Sequence, residues 1–273
     1  MAINYAEKYA SNVDERFHAG AVTTTAVNKD YDWSGVNTVN VYSIPTVAMS
    51  DYEMSGTARY GDPDELEAGV QTLTLRRDRA FTFSIDRRNF ESTMMATEAG
   101  KALSRQVDEV VIPEIEKYRI AQMAAGAGLE KTGTPITSAN AYDNFLEANN
   151  AMTENGIPVG GRIALVTPKF YKAIKLDPSF MRSCDIAQSM LKTGQVGLVD
   201  GVAIILAPTS YFPADVSFVL AHSTATVAPV KLCEYKIHDN PPGINGWLVE
   251  GRIVYDCYVL DSKKNGVYVH AED

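Results

Sequence analysis

Residues 71–86 read QTLTLRRDRAFTFSID, and their side chains alternate between two kinds. Thr, Ser and charged residues dominate one face. The other face carries Leu73, Leu75, Arg77, Arg79, Phe81, Phe83 and Ile85. A period of two predicts a β-strand. At roughly 3.3 Å per residue this strand would reach about 50 Å, which is about the diameter of a compact chain of this length. Because two unpaired arginines in its apolar face would be costly to bury, we expect the strand to leave the body of the molecule.

Acidic residues are concentrated before this strand, and basic residues are concentrated within it and just after it. Residues 51–69 hold six acidic residues and one basic residue, a net charge of −5, whereas residues 76–88 hold five arginines and two aspartates, a net charge of +3. We interpret residues 46–88 as an extended hairpin loop. Its arginine run could be a docking strip for another protein, a plain charged strand surface or a nucleic-acid patch. The opposite charge of the preceding segment favours docking between copies of the chain. The candidate docking residues are Asp62, Asp64, Glu65, Glu67, Arg76, Arg77, Arg79, Arg87 and Arg88.

Further along the chain, apolar residues at spacings of three and four predict an amphipathic helix over residues 96–124, about 43 Å long, with a kink or split at Pro113. Residues 136–227 are typical of an α/β segment. The other predicted elements are a short helix at 6–17, a helix from 138 capped by Ser138 to about 155, a helix at 168–176 capped by Thr167, a hairpin turning at Asp200 and Gly201, and strands at 38–44, 162–166, 216–221, 231–237, 246–260 and 267–270.

Composition excludes several classes of protein. The chain has 273 residues, 45% of them hydrophobic, and a formal net charge of −9. No stretch approaches the roughly 20 apolar residues of a membrane span, and the first residues lack the pattern of a secretory signal. The acidic balance argues against a dedicated nucleic-acid binder. The three cysteines, Cys184, Cys233 and Cys257, are widely spaced, as expected of reduced residues.

The sequence predicts no catalytic, cofactor-binding or metal-binding residue. The four histidines are scattered. Residues 126–133, GAGLEKTG, superficially resemble a phosphate-binding loop, but Glu130 stands where that motif requires glycine before the lysine. No Gly-x-Ser-x-Gly motif for a nucleophilic serine is present. We therefore expect a protein that is not an enzyme.

In order and length the predicted elements resemble the major capsid protein family of tailed bacteriophages, which has the Hong Kong 97 fold. The resemblance covers essentially the whole chain. Its more distinctive pieces are DYDWSGV at 30–36, VYSIP at 41–45, the strand at 71–86, AGKAL at 99–103 leading to IPEI at 112–115, YDCYVLD at 255–261 and KKNG at 263–266.

This resemblance implies an α+β fold of four parts. They are an amino-terminal arm at 1–36, an extended loop at 46–88, an α/β axial domain at 136–227 and a peripheral domain made of 37–45, 89–135 and 228–273, with a spine helix at 96–124. It also implies hexamers and pentamers closing into an icosahedral shell around double-stranded DNA that is bound without sequence specificity. A portal protein and a separate scaffolding protein are the other implied partners; no membrane is. The implied location is the virion capsid, and the host cytoplasm during assembly.

Some members of the family weld subunits through a lysine of the extended loop, but residues 46–88 contain no lysine. We therefore expect no such cross-link. Two other functions stay open: an encapsulin-like compartment shell that stores a cargo enzyme, and an α/β enzyme with an unrecognised site.

Overall fold

The computed structural model describes residues 22–28, 31, 38–44, 46–57, 59–61, 65, 69–87, 99–183 and 197–272. The helix predicted at residues 6–17 lies outside them. No helix in the described ranges is both long and apolar enough to cross a membrane.

The strands and helices of the described residues have the following bounds. The strands are β1 (Thr38–Ser43), β2 (Gly69–Thr74), β3 (Arg77–Asp86), β4 (Leu129–Lys131), β5 (Arg162–Val166), β6 (Leu198–Val199), β7 (Val202–Leu206), β8 (Val216–His222), β9 (Thr226–Val227), β10 (Val230–Asp239), β11 (Gly246–Tyr255), β12 (Tyr258–Val259) and β13 (Val267–Ala271). The α-helices are α1 (Ala99–Gln106), α2 (Ile112–Ala125), α3 (Ala141–Glu154), α4 (Pro168–Leu176) and α5 (Pro178–Ser183). Short 3-10 helices lie at Val22–Thr25, Thr209–Tyr211 and Asp261–Gly266.

A six-stranded mixed sheet has the order β4-β13-β8-β5-β7-β6 and is covered on both faces. In its central strand β5 all five residues are buried, because successive side chains enter two different hydrophobic clusters. Ala164 and Val166 pack with side chains of α3, α4 and α5. Ile163 and Leu165 pack on the opposite face with side chains of α2. The apolar run that predicted a strand at 162–166 is therefore confirmed.

Local signals around this sheet are confirmed in all but one case. Thr167 caps α4 by accepting a hydrogen bond from the Phe170 amide at 3.3 Å. Asp200 and Gly201 adopt φ values of 48° and 78°, as a two-residue β-hairpin turn requires. The prediction that Ser138 caps a helix beginning at residue 138 is wrong. That helix, α3, begins after Asn140, whose side-chain oxygen accepts from the Thr137 amide at 2.8 Å and so closes the turn before the helix.

The predicted long helix is continuous from residue 99 to residue 125 and is not split at Pro113. Between α1 and α2 it passes through a π-helical segment, Val107–Val111. There the Ile112 amide donates to the Val107 carbonyl, five residues earlier. A regular α-helix would set the Pro113 ring against the carbonyl of Glu109, so the wider π turn lies where a clash would otherwise arise.

A three-stranded antiparallel sheet, in the order β10-β11-β3, packs under this helix. Leu103, Val107 and Ile115 of the helix meet Tyr235, Val249 and Ile253 of the sheet. At Gly251 a Cβ atom would lie only 2.4 Å from the Phe81 ring, so glycine lets that ring cross the middle strand.

The prediction of one continuous strand at 71–86 is wrong, as is that of one strand at 246–260. The first divides at residues 75 and 76 into β2, which pairs with β1, and β3, which pairs with β11. The second divides at Asp256 and Cys257 into β11 and β12. Among the described residues, the β1–β2 hairpin is thus a separate two-stranded ribbon, whereas β3 belongs to the sheet under the helix. β13 pairs with β8 and adds the last residues of the chain to the six-stranded sheet. The four-part division of the chain itself stays a prediction.

Candidate subunit interface

The β1–β2 hairpin presents its sides to solvent. Thr38 faces Thr74 and Ser43 faces Gly69 at the two ends of the antiparallel pair. Alternate residues of β1 are exposed and the others are only partly buried. A two-stranded ribbon with so little burial is not a stable unit by itself.

The distal part of the hairpin is organised by short-range hydrogen bonds. The Glu53 amide donates to the Arg59 carbonyl at 3.1 Å, and the Ser50 hydroxyl donates to the Tyr60 carbonyl at 3.1 Å. The rings of Tyr52 and Tyr60 meet edge to face, with centroids 5.1 Å apart. We call residues 46–61 the tip.

Large apolar side chains are concentrated on this hairpin. Eight of the thirteen exposed large apolar side chains in the described residues lie between positions 42 and 70. They are Tyr42, Ile44, Val47, Met49, Tyr52, Met54, Tyr60 and Val70. Met49 is 100% exposed and Met54 88% exposed. Exposed apolar side chains concentrated in one element favour a contact surface for another molecule.

The base of the hairpin is fixed by one buried carboxylate. Asp256 accepts hydrogen bonds from the Arg76 amide at 2.9 Å, the Tyr118 hydroxyl at 2.7 Å and the Tyr258 hydroxyl at 2.6 Å. The Cys257 amide donates to the same carboxylate at 2.8 Å. Burial by itself would raise the pKa of Asp256, but these hydrogen bonds hold that pKa below its ordinary value.

Asp256 therefore joins the two strand breaks to the helix. Arg76 lies in the break between β2 and β3, and Asp256 lies in the break between β11 and β12. Beside them, Leu73 is buried against Val227 and Leu260, and the Gln71 side chain donates to the Val259 carbonyl at 3.2 Å. The root of the hairpin is thus held firmly while its tip is exposed.

The predicted docking arginines that the structure describes all contact their own chain. Arg76 forms an ion pair with Asp256 at 3.4 Å, and Arg77 lies 4.5 Å from the centre of the Tyr118 ring. The Arg79 Nε atom donates to Glu114 at 2.7 Å. Arg87 lies 3.5 Å from a carboxylate oxygen of Asp239.

These contacts explain why β3 does not leave the body. Arg77 and Arg79 lie on the apolar face as predicted, but an aromatic ring and a carboxylate of α2 meet them, so neither is buried unpaired. Of the acidic candidates, Glu65 is exposed. Asp62, Asp64, Glu67 and Arg88 lie outside the described residues. The docking role of the nine candidates stays a prediction.

A second anchor holds the described part of the amino-terminal arm. The Thr23 amide and hydroxyl both donate to the buried Glu116 carboxylate at 2.9 Å. Arg119 lies 3.6 Å from the same carboxylate, and Ala26 and Val27 enter the core beside α2. Burial raises the pKa of Glu116 despite these partners. Sequence reasoning missed both Glu116 and Asp256, because their partners lie far away along the chain.

The remaining described surface offers little chemistry. No group of three His, Cys, Asp or Glu side chains in the described ranges is placed to hold a metal ion. A shallow depression of about 400 Å³ lies on the outer face of the three-stranded sheet. Its charges pair with neighbours: Arg252 with Asp78 at 2.6 Å and Lys236 with Glu234 at 3.3 Å.

Comparison with known proteins gives a consistent result. A family described as phage capsid protein matches residues 69–269. A search of curated proteins found no match. A solved structure from Mycobacterium phage Che8 is 19% identical, with a TM-score of 0.69, covering 93% of this chain and 91% of that chain. One from Mycobacterium phage Bobi is 12% identical, with a TM-score of 0.66 and the same coverage. A virus-like particle from Pyrococcus furiosus is 11% identical, with a TM-score of 0.61, covering 98% of this chain and 100% of that chain.

Proposed function

Because the chain belongs to the phage capsid protein family and is a structural capsid protein of the virion, we propose that its copies assemble as hexamers and pentamers. These close into the icosahedral shell of a tailed phage around double-stranded DNA. The mixed helix and sheet architecture predicted from the sequence is confirmed. The observation that carries the proposal is the β1–β2 hairpin, which is fixed at its root and exposes apolar side chains along its length.

The hairpin is the proposed contact element between neighbouring subunits. Apolar burial supplies most of the attraction in protein interfaces, whereas exposed charge pairs add orientation and only about 0 to 1 kcal/mol each. The candidate docking charges therefore steer the hairpin onto its neighbour. In support, the side chains of Arg76 and Arg79 remain 63% and 56% exposed despite their contacts within the chain. A guanidinium carries five N–H donors, so such a group can serve an internal and an external partner at once.

The remaining partners follow from the same proposal. Assembly takes place in the host cytoplasm with a separate scaffolding protein and a portal protein, and the packaged DNA is held without sequence readout. The protein performs no catalysis.

A compartment shell that encloses a cargo protein is the second candidate. It is favoured by the similarity to the virus-like particle from Pyrococcus furiosus, which extends over nearly the whole of both chains. The contents of the particle distinguish the two candidates.

The test is electron microscopy of the expressed protein, alone and with candidate scaffolding proteins from the same genome, with light scattering to count particles. We expect closed shells containing rings of six and five subunits. Particles isolated from infected cells should hold DNA of genome length that resists nuclease. Particles that hold a folded cargo protein and no DNA would favour the compartment, and a protein that stays monomeric under every condition would overturn both.

A further inference from the structure

We propose that Met49 and Met54, at the hairpin tip, are contact residues between copies of this chain and that oxidation of their thioethers blocks shell assembly. The inference rests on the proposed function. It adds a modification site to the proposed contact element and identifies which side chains of the tip are bound by the neighbouring copy.

The first step is exposure. The side chain of Met49 is fully exposed and that of Met54 nearly so, at 100% and 88%. Met123 and Met152, in contrast, are 0% exposed in the two clusters that flank the six-stranded sheet. A peroxide in solution can therefore reach the two tip thioethers of a free subunit, whereas the two core thioethers are shielded.

The second step concerns the local order of the tip. The hydrogen bonds between Ser50 and Tyr60 and between Glu53 and Arg59 close the chain directly beside the two methionines. A preformed surface loses less conformational entropy on binding than a loose one. Methionine is unbranched and polarisable, so it adapts to an irregular apolar partner surface. These two hydrogen bonds give the backbone of the tip local order before its partner binds.

The third step concerns which molecule covers the tip. The chain is a capsid protein, and such a protein associates with copies of itself. Most of the exposed large apolar side chains in its described residues lie on this hairpin, whereas the described body has only scattered ones. A second copy is therefore the partner that every subunit meets, and the tip is the surface that most needs to be covered.

The chemical step is a two-electron oxidation. Hydrogen peroxide transfers one oxygen atom to the methionine sulfur. The S–O bond forms as the O–O bond breaks, and the second oxygen leaves as water. The sulfoxide is polar, so burying it against an apolar partner surface without a hydrogen bond is unfavourable. A dithiol and a methionine sulfoxide reductase reverse the step, releasing water and a disulfide.

The experiment uses the full-length subunit before assembly. Subunits are treated with hydrogen peroxide, quenched, and then incubated with dithiothreitol, which reduces oxidised thiols but leaves the sulfoxides in place. Peptide mass spectrometry measures oxidation at each methionine, and light scattering measures the rate of shell formation. For each variant, the rate after treatment is divided by its own untreated rate.

We expect oxidation of Met49 and Met54, sparing of Met123 and Met152, and a loss of at least about tenfold in assembly rate for the wild type, since two buried side chains become polar. The double variant M49L/M54L should keep its own untreated rate after peroxide. The matched control M152L, altered in the core, should remain as sensitive as the wild type. Sulfoxide reductase should restore assembly, and Met49 and Met54 in finished shells should resist peroxide.

The inference is overturned if wild-type subunits carrying both sulfoxides assemble at the untreated rate, or if M49L/M54L is as sensitive as the wild type. Rapid oxidation of the tip in finished shells would also overturn it, although the shell function would stand. Failure of untreated subunits to form any shell would instead remove the proposed function, and this inference with it.

Discussion

The Tyr118 hydroxyl, in α2, donates a hydrogen bond of 2.7 Å to the buried carboxylate of Asp256, at the end of β11. The same carboxylate receives the Arg76 amide, at the point where the chain leaves the hairpin. One side chain therefore fixes the angle between the helix and the root of the hairpin. The hairpin is the proposed contact element, so this connection links the helix directly to the part of the chain that we expect to meet a neighbouring copy.

Replacing Asp256 with Asn tests that connection. The amide keeps the size of the carboxylate but loses the charge that the surrounding donors solvate. Because hydrogen bonds to a buried charge are among the stronger ones, we expect D256N to lower the free energy of unfolding by about 2–4 kcal/mol. Urea unfolding of the subunit measures this. D239N, which alters an exposed carboxylate paired with Arg87, is the control and should cost less than about 1 kcal/mol. Equal effects of the two changes would refute the role of Asp256.

His270 should make the subunit sensitive to mild acid. Its Nε2 atom bonds the Thr134 carbonyl, its ring stacks on Phe218, and burial lowers its pKa below the ordinary value of 6.5. The unfolded chain therefore binds a proton near pH 6.5 while the folded chain does not. Stability should fall as the pH drops through this value towards the lower folded pKa, by up to about 1.4 kcal/mol per pH unit.

The measurement is the urea midpoint between pH 7.5 and 5.5. H270Q keeps a side-chain donor for the Thr134 carbonyl but cannot titrate, so its midpoint should vary less with pH than that of the wild type. If H270Q and the wild type show the same slope, another group is responsible.

Cys257 should be chemically inert in the folded subunit. It is fully buried, and burial raises the pKa of its thiol to about 12. Only the thiolate reacts with maleimides, so modification of Cys257 should require unfolding in urea. Peptide mapping after a timed maleimide pulse measures this, with Cys233, which is partly exposed, as the internal reference. Labelling of Cys257 in the native subunit would contradict the burial of this strand break.

Assembled particles should contain no covalent links between subunits through the hairpin loop. An amide cross-link of the kind described for some members of the family needs a lysine amine, and residues 46–88 provide none. Boiling in detergent with reductant should therefore release chains of 29.8 kDa, visible on a denaturing gel. A ladder of resistant multimers would show that a different chemistry joins them.

Patterns within a few residues predicted most local structure correctly. The apolar run at β5, the Thr167 cap and the Asp200–Gly201 turn each depend on neighbours along the chain, and the structure confirms all three. The break after β2 could not be predicted in this way. The alternation of residues 71–86 continues through it, and the carboxylate that binds the Arg76 amide lies 180 residues away.

Local sequence patterns were equally unable to predict which residues of the candidate interface are free to meet another subunit. Charge is visible in a sequence, so the sequence predicts docking through arginines and acidic residues. Their internal partners, such as Glu114 for Arg79, were not visible. Met49, Met54 and Tyr60 looked like ordinary loop residues, because exposure depends on what the rest of the chain leaves uncovered.

The docking role of Arg79 can be separated from its role within the subunit by a charge exchange with Glu114. The two groups form an exposed ion pair at 2.7 Å. R79E places two carboxylates together, so we expect a small loss of subunit stability and a lower assembly rate. E114R alone should destabilise the subunit more, because the hydroxyl of the buried Tyr255 also donates to Glu114 at 3.2 Å. The double variant R79E/E114R restores the pair with its charges reversed and should therefore be more stable than E114R alone.

Assembly of that double variant decides the question. If Arg79 also steers a neighbouring subunit, the reversed pair presents the wrong charge. Light scattering should then show assembly still impaired, although the double variant resists urea better than E114R alone. The deficit should shrink at high salt, because screening weakens the repulsion between exposed charges. If assembly recovers together with stability, Arg79 acts only inside its own subunit, and docking is left to the apolar side chains of the hairpin.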